Sequence, residues 1–136
     1  MSDCSVMDRE GVPTEQLMTT DIVTVGPETD VQEAVNVLLA ENIGSLGVVD
    51  DDGDLVGVIT SNDFLEVISD GDLDGDATIE TYMTEQVVTI KPDESIQTAA
   101  AKMITNGISH LPVEDEEEIV GMLSTTDITA YSVSRA

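Results

Sequence analysis

The alternation of apolar and polar positions predicts five elements in the first half of the chain. Residues 22–25 form a short β run, and residues 46–49 and 55–60 form two more around the acidic turn Asp50–Asp54. Between the first two runs, a helix begins at Thr29 or Asp30 and ends at Asn42 or Gly44. Its apolar face, at i, i+3, i+4, i+7 and i+8, comprises Val31, Ala34, Val35, Leu38 and Leu39. Because a second helix begins near residue 62, the predicted order is βαββα.

The second half repeats this order. Strands are predicted over 87–90, 110–113 and 119–123, and a closing helix over 126–132. Another helix begins at Ser95 and ends at Asn106-Gly107, with these residues facing inward: Ile96, Ala99, Ala100, Met103 and Ile104. The copies are offset by 65 positions, as Met18-Thr19 and Met83-Thr84 show. A repeat that fills the chain predicts pseudo-twofold packing of two small units around a shared core.

The predicted fold class is α+β, built from two βαββα repeats packed with pseudo-twofold symmetry. We divide the chain into a flexible N-terminal segment (1–13), a first repeat (14–69), an acidic linker (70–78) and a second repeat (79–136). The linker resembles the opening of an EF-hand calcium loop, but Thr81 occupies the position that needs a bidentate glutamate. We therefore predict no metal site there.

The charge balance excludes several kinds of partner. The 136 residues carry 29 acidic and 4 basic side chains, a net charge of −25. Nucleic acid and anionic membrane surfaces are disfavoured, because binding to both depends on Lys and Arg. The periodic apolar segments indicate a folded protein with an acidic coat. This coat predicts a halophilic archaeal source, where salt screens the repulsion, although an acidic mesophilic protein would also fit.

Composition also bears on location and catalysis. No apolar run approaches the roughly 18 residues of a membrane-spanning helix, and the single cysteine, Cys4, allows no intramolecular disulfide. We therefore expect a soluble, cytoplasmic protein. One histidine, no glycine-rich phosphate loop and no predicted metal cluster argue against an enzyme.

Two motifs at matched spacing connect the repeat to a known family. Gly57-Val58-Ile59-Thr60-Ser61-Asn62-Asp63 and Gly121-Met122-Leu123-Ser124-Thr125-Thr126-Asp127 each follow a predicted strand, and the second copy also contains His110-Leu111-Pro112-Val113. With Met-Thr opening each half, the chain resembles the tandem cystathionine-β-synthase (CBS) domain pair, or Bateman module, over roughly residues 15–132. The first copy departs from the family pattern at Gly47, where a proline is usual.

The resemblance implies a regulatory protein that binds an adenosyl ligand (AMP, ADP, ATP or S-adenosylmethionine) in clefts between the repeats. It also implies a homodimer that signals to a partner protein, whose identity the sequence leaves open. The alternative function is a dimerisation scaffold that has lost ligand binding. Gly47 and the absence of lysine and arginine from the positions expected to contact phosphate favour that alternative.

The motif residues suit ribose recognition. A carboxylate can accept hydrogen bonds from both ribose hydroxyls, so Asp63 and Asp127 are the candidate ribose ligands, supported by Thr60 and Ser124. The helix N-termini at these positions offer free N–H groups suited to phosphate. Thr/Ser-x-x-Asp is also an ordinary helix start, with the hydroxyl residue as the cap.

By resemblance, each adenine would contact apolar residues of one repeat while the ribose contacts the carboxylate of the other. Asp127 and Ser124 would then pair with Val23, Ile43 and Gly44. Asp63 and Thr60 would pair with Val88, Ile108 and Ser109. His110 is either a phosphate contact or a strand-end surface residue. The predicted site residues include no lysine or arginine, so the preferred ligands are AMP, S-adenosylmethionine or a nucleotide bound with Mg²⁺. The two sites should be unequal, because His110 occurs in only one copy.

Overall fold

The computed structural model describes residues 12–73, 76–85 and 87–135, which divide into two compact units. The central unit is Ile22–Val87, and the terminal unit joins the described residues up to Asp21 to those from Val88 onward. These units do not coincide with the sequence copies, 14–69 and 79–136. Of the segment predicted to be flexible, 1–13, all but the last two residues lie outside the described part, and Pro13 forms a β-bridge with Ser95.

The central unit is a three-stranded sheet with two helices. Its elements are β1 (Thr24–Val25), α1 (Val31–Glu41), β2 (Ser45–Val49), β3 (Leu55–Thr60), α2 (Ser61–Asp70) and a 3₁₀ turn (Ile79–Thr81). The strand order is β1-β2-β3, with β1 parallel to β2 and β3 antiparallel to it. This βαββα order confirms the predicted α+β fold class.

The central core joins the inner faces of both helices to the sheet. Its buried members are Val31, Ala34, Leu38, Leu46, Val48, Ile59, Phe64, Val67 and Ile79. Asp30 caps α1 by accepting a hydrogen bond from Gln32 N at 2.8 Å, and Asn42 ends the helix in the left-handed region at φ 56°. Both residues were among the alternatives predicted for these positions.

The terminal unit has the same helices and a smaller sheet. It contains a 3₁₀ turn (Thr14–Gln16), α3 (Ile96–Asn106), β4 (His110–Asp115), β5 (Glu118–Ser124) and α4 (Thr125–Arg135). Strands β4 and β5 are antiparallel. The buried core comprises Ile90, Ala99, Met103, Leu111, Val113 and Leu123.

The strand predicted over 87–90 is wrong: only a single parallel bridge forms, between Ile90 and Val113. Pro112 provides the physical reason. Its counterpart in the central unit, Gly47, donates its N–H to Val23 O at 3.3 Å and so extends the pairing of the parallel strands. Proline has no N–H to donate, so the corresponding bond cannot form in the terminal unit.

Each Met-Thr segment completes the unit formed mainly by the other copy. Thr84 exchanges two hydrogen bonds with Val58 in β3, of 2.9 and 3.1 Å, and Thr19 does the same with Met122 in β5, at 2.9 and 3.0 Å. The glycine beside each bridge leaves room for a methionine, because a Cβ on Gly121 would lie 2.5 Å from the Met18 sulfur. The repeated glycines and Met-Thr pairs therefore reflect one packing arrangement.

Two residues predicted to face inward are exposed. Leu39 in α1 is 75% exposed and its counterpart Ile104 in α3 is 81% exposed. The helical pattern was wide enough to include them, but each sheet covers only the narrower stripe centred on Ala34 and Leu38 or on Ala99 and Met103. Within the described residues, no helix combines the length and the hydropathy needed to cross a bilayer.

Candidate functional site

Asp63 lies where β3 passes directly into α2. Thr60, in extended conformation at φ −121° and ψ 171°, precedes the first helical turn. The Asp63 Oδ2 atom accepts hydrogen bonds from Thr60 N at 2.8 Å and from Thr60 Oγ1 at 3.2 Å. The carboxylate is thus held in one orientation at the end of the strand, in a half-buried position.

Asp127 occupies the same place between β5 and α4. Its Oδ2 accepts a hydrogen bond from Ser124 N at 2.9 Å, and Ser124 Oγ accepts one from Asp127 N at 3.1 Å. These reciprocal bonds form a capping box, so the helix-start interpretation is confirmed. Capping occupies only one oxygen of each carboxylate: within the described part of the chain, the hydrogen bonds to Asp63 and Asp127 end on Oδ2 and leave Oδ1 as an acceptor.

The first N–H group of each helix is already bonded. Ser61 N donates to Gly44 O, and Thr125 N donates to Ser109 O, both at 3.0 Å. These bonds bring two of the predicted adenine-lining residues beside the helix starts. They also correct the expectation that the helix N-termini present a set of free N–H groups for phosphate, because carbonyl and side-chain oxygens of the protein itself take most of them.

The predicted site residues divide between the two units. Val23, Ile43, Gly44, Thr60 and Asp63 belong to the central unit. The terminal unit holds Val88, Ile108, Ser109, His110, Ser124 and Asp127. The apolar members of both sets are half-buried and pack against the core of their own unit. The predicted pairing of each carboxylate with the apolar residues of the other unit stays a prediction.

His110 distinguishes the terminal unit from the central one. It begins β4 opposite Ser124, whereas the corresponding residue in the central unit is the buried Ser45, opposite Thr60. Burial lowers the pKa of His110 below 6.5, and the nearby charge of Asp127 opposes this shift. His110 is therefore mostly neutral near pH 7, and the two units differ beside their capping carboxylates.

The two capping aspartates occur within segments that one family model matches twice. The CBS domain model matches residues 15–70 and 79–134. This chain belongs to the CBS domain family. Its two matched segments make it a CBS domain pair, as the duplicated motifs predicted.

Two archaeal proteins are similar to this chain in sequence. The chain is 30% identical over 115 residues to an uncharacterized protein of Methanocaldococcus jannaschii, covering 85% of this chain but 41% of that protein. It is 32% identical over 114 residues to an uncharacterized 17.7 kDa protein of Acidianus ambivalens, covering 83% of this chain and 68% of the relative. The chain thus spans less than half of the first relative.

A solved CBS domain pair shares the fold. The CBS domain pair of protein MJ0100, in complex with 5′-methylthioadenosine and S-adenosyl-L-methionine, superposes with a TM-score of 0.86 at 30% identity. The match covers 92% of this chain and 98% of that one.

An apolar groove between α1 and α2 was not predicted from the CBS sequence. It has a volume of about 220 Å³, and none of its lining residues is charged: Val35, Leu38, Leu39, Ile43, Ser61, Phe64, Leu65 and Ile68. Leu39, Leu65 and Ile68 are 75%, 65% and 59% exposed. The sequence did contain a signal for the groove. A helix that packs against a core needs one apolar stripe, but α2 carries Leu65 and Ile68 in addition to the buried Val67.

The acidic turn Asp50–Asp54 is closed by one of its own aspartates. Carboxylate oxygens of Asp50, Asp52 and Asp54 lie within 4.8 Å of one another. Asp50 Oδ1 accepts hydrogen bonds from the backbone N–H groups of Asp52 and Asp54, both at 3.0 Å, which closes the β2–β3 turn. Such Asx bonding gives Asp50 a structural role in the turn.

Within the central unit, Tyr82 contacts the start of the predicted linker. Its hydroxyl contacts Asp72 Oδ2 and lies 2.9 Å from Asp70 Oδ2. The hydrogen bond to Asp72 is the main cause that raises the pKa of Tyr82. Two residues of the EF-hand-like segment, 74 and 75, lie outside the described part of the chain.

Proposed function

We propose that this CBS pair is a regulatory module that binds an adenosyl ligand, AMP, ADP, ATP or S-adenosylmethionine, and transmits its presence to a partner protein. The observation that carries the proposal is the pair of capping aspartates. Asp63 and Asp127 are each held through Oδ2 at a strand-to-helix junction. Each retains Oδ1 as an acceptor for a ribose hydroxyl.

The capping bonds hold both carboxylates in a fixed orientation, which favours ribose binding. A ribose presents two adjacent hydroxyl donors, and binding is favoured when the acceptor is already oriented, because less side-chain entropy is lost. Thr60 and Ser124 act here as positioning residues, since their backbone N–H groups hold Asp63 and Asp127. The 30% identical CBS pair of MJ0100, described in complex with two adenosyl compounds, supports the ligand class.

The remaining predicted contacts complete the proposal. The adenine contacts Val23, Ile43 and Gly44 together with the ribose ligand Asp127. In the second site it contacts Val88, Ile108 and Ser109 together with Asp63. His110 contacts the 5′ substituent, and a nucleotide ligand binds with Mg²⁺. The role is regulatory rather than catalytic, and the halophilic source and cytoplasmic location predicted from the sequence stay predictions.

We further propose that a second copy of the chain covers the face formed by Leu39, Leu65 and Ile68. These side chains are more than half exposed, and exposed apolar patches mark interaction sites. Two chains that each carry a net charge of −25 repel each other wherever acids meet. The groove between α1 and α2 has no charged lining residue, so it is a surface on which two such chains can approach closely.

Thermal unfolding in molar KCl tests ligand binding. A compound that binds only the folded state, present at 100 times its Kd, raises the free energy of unfolding by about 2.7 kcal/mol. We expect a dose-dependent rise in Tm with an adenosyl compound, reduced in Asp127→Asn and Asp63→Asn. Asparagine keeps an oxygen that can accept the capping bond, so these variants separate ligand loss from unfolding.

Asp30→Asn is the matched control, because Asp30 caps α1 through its side chain but is not a predicted ligand contact. It should leave the ligand-induced shift unchanged. If the folded protein responds to none of AMP, ADP, ATP or S-adenosylmethionine, with or without Mg²⁺, the ligand-free dimerisation scaffold becomes the favoured function. Loss of folding in Asp127→Asn would count against its role as a ligand residue.

A further inference from the structure

We infer that Lys102 is a positioning residue for the proposed ligand site, because it fixes the backbone segment that carries Val88. The inference rests on the proposed adenosyl-binding function, in which Val88 contacts the adenine. Lys102 acts through the backbone and not through the ligand, since its ammonium group holds the carbonyl group of Thr89, the residue after Val88.

The segment that carries Val88 is attached to its sheet mainly at one end. Residues 87–90 are bonded to β4 through both backbone groups of Ile90, at 3.0 and 2.8 Å. In the central unit, Gly47 N adds a further bond of 3.3 Å to the carbonyl group of the residue that corresponds to Val88. Pro112 occupies the position of Gly47 in the terminal unit and has no N–H group, so the bond to Val88 O cannot form.

Lys102 provides a hydrogen bond close to the position of the one that Pro112 removes. From the middle of α3, its Nζ donates to Thr89 O at 2.7 Å, in a partly buried position. Thr89 lies between Val88 and Ile90, so this bond restrains the backbone directly beside the adenine contact. A hydrogen bond with a charged donor is stronger than one between neutral groups, so a single lysine can take the place of a backbone bond.

The ammonium group of Lys102 is itself oriented by Glu94. Glu94 Oε2 lies 4.0 Å from Lys102 Nζ and accepts a hydrogen bond from Lys91 N at 2.8 Å. The side chains of Lys102 and Glu94 are 35% and 34% exposed, so solvent and salt weaken their mutual attraction. The carboxylate therefore guides the lysine, and the shorter bond to Thr89 O restrains the segment.

A comparison of the two copies supports this role. The residue that corresponds to Lys102 in the first copy is Val37, which packs against the core of the central unit. The unit in which Gly47 supplies a backbone donor thus has an apolar residue on its helix. The unit in which Pro112 supplies none has the lysine. This correspondence indicates that Lys102 compensates for Pro112.

A substitution of Lys102 in the full chain tests the inference. Lys102→Met keeps an unbranched side chain of high helix propensity at a half-exposed position, but removes the donor. Binding of AMP, ADP, ATP and S-adenosylmethionine is measured by isothermal titration calorimetry in molar KCl, and amide hydrogen exchange of residues 87–90 by mass spectrometry. We expect about tenfold weaker binding at the site that contains Val88, and about tenfold faster exchange.

Pro112→Ala provides a readout that a general structural role of Lys102 would not change. Alanine restores an N–H group at the position where Gly47 donates in the central unit. In the Pro112→Ala background, Lys102→Met should therefore weaken binding by less than about twofold. Lys91→Met is the matched control, because it removes the same charge from an exposed lysine whose hydrogen bond to Glu94 is made by its backbone. It should leave binding and exchange unchanged.

The outcomes separate the inference from the proposed function. If the wild type binds a probe and Lys102→Met binds it equally tightly at both sites, the inference is overturned while the function stands. An equal loss of affinity with and without Pro112→Ala would also overturn the positioning role. If the folded wild type binds none of the four probes, the proposed function fails and the inference fails with it. Weaker binding and faster exchange, both relieved by Pro112→Ala, support the inference.

Discussion

Thr14 is the clearest site at which one substitution should stabilise the protein. Its side chain is fully buried, and Oγ1 has no hydrogen-bond partner among the described residues. The corresponding residue in the other copy, Ile79, is also fully buried. The backbones match: Thr14 N donates to Glu94 O at 2.8 Å, and Ile79 N donates to Thr29 O at 2.9 Å. Both copies therefore bury a side chain at this site, and only the first copy places a hydroxyl there.

The expected gain follows from the missing partner. An unpaired buried hydroxyl costs about 1–3 kcal/mol in mutational data. Valine keeps the β-branched shape of threonine, so Thr14→Val should remove most of this cost with little repacking. We expect the free energy of unfolding to rise by about 1 kcal/mol. With an unfolding entropy of about 2 cal/mol/K per residue, this corresponds to a rise in Tm of about 3–4 °C for a 136-residue chain.

The assay is thermal unfolding followed by far-ultraviolet circular dichroism in molar KCl, with urea unfolding as a second measure of the free energy. The reciprocal variant Ile79→Thr is the matched control, because it introduces the same unpaired hydroxyl into the central unit. Its free energy of unfolding should fall by about 2–4 kcal/mol, since the substitution also removes buried apolar volume. A lower Tm for Thr14→Val would refute the reasoning, because it would mean that the Thr14 hydroxyl has a stabilising partner.

Three further predictions concern packing, pH and assembly. Gly121→Ala should lower the free energy of unfolding by about 1–3 kcal/mol in urea titrations, because its Cβ would lie 2.5 Å from the Met18 sulfur; an unchanged midpoint would contradict this packing. Since the pKa of His110 is lowered from 6.5 in the folded state, its stabilising contribution is present above pH 6.5 and lost as pH falls towards the folded pKa. His110→Gln should therefore lose less stability than the wild type between about pH 7 and pH 5, and parallel pH curves would argue against the shift. Leu65→Glu should shift the chain towards monomer in light-scattering measurements, whereas Gln32→Glu, which adds the same charge outside the groove, should not; a wild-type monomer would reject this assembly.

Much of the candidate site could be predicted because it depends on local spacing. Thr60-x-x-Asp63 and Ser124-x-x-Asp127 predict both a helix start and a carboxylate in the first turn, and the structure contains both. The hydrogen bond from Ser61 N to Gly44 O could not be predicted in this way. It joins residues 17 positions apart, and it depends on how β2 and β3 align.

The sequence by itself determined the βαββα order of the first copy, the helices of both copies and the family, because hydrophobic period, capping residues and repeated motifs act over a few neighbouring positions. Only the tertiary structure decided which unit each Met-Thr segment completes, since Thr19 pairs with Met122 across about 100 residues. It also decided that Leu39 and Ile104 remain exposed and that residues 87–90, beside the strand that contains Pro112, form one bridge instead of a strand. These outcomes depend on contacts between distant segments, where packing and the available backbone N–H groups override local propensity.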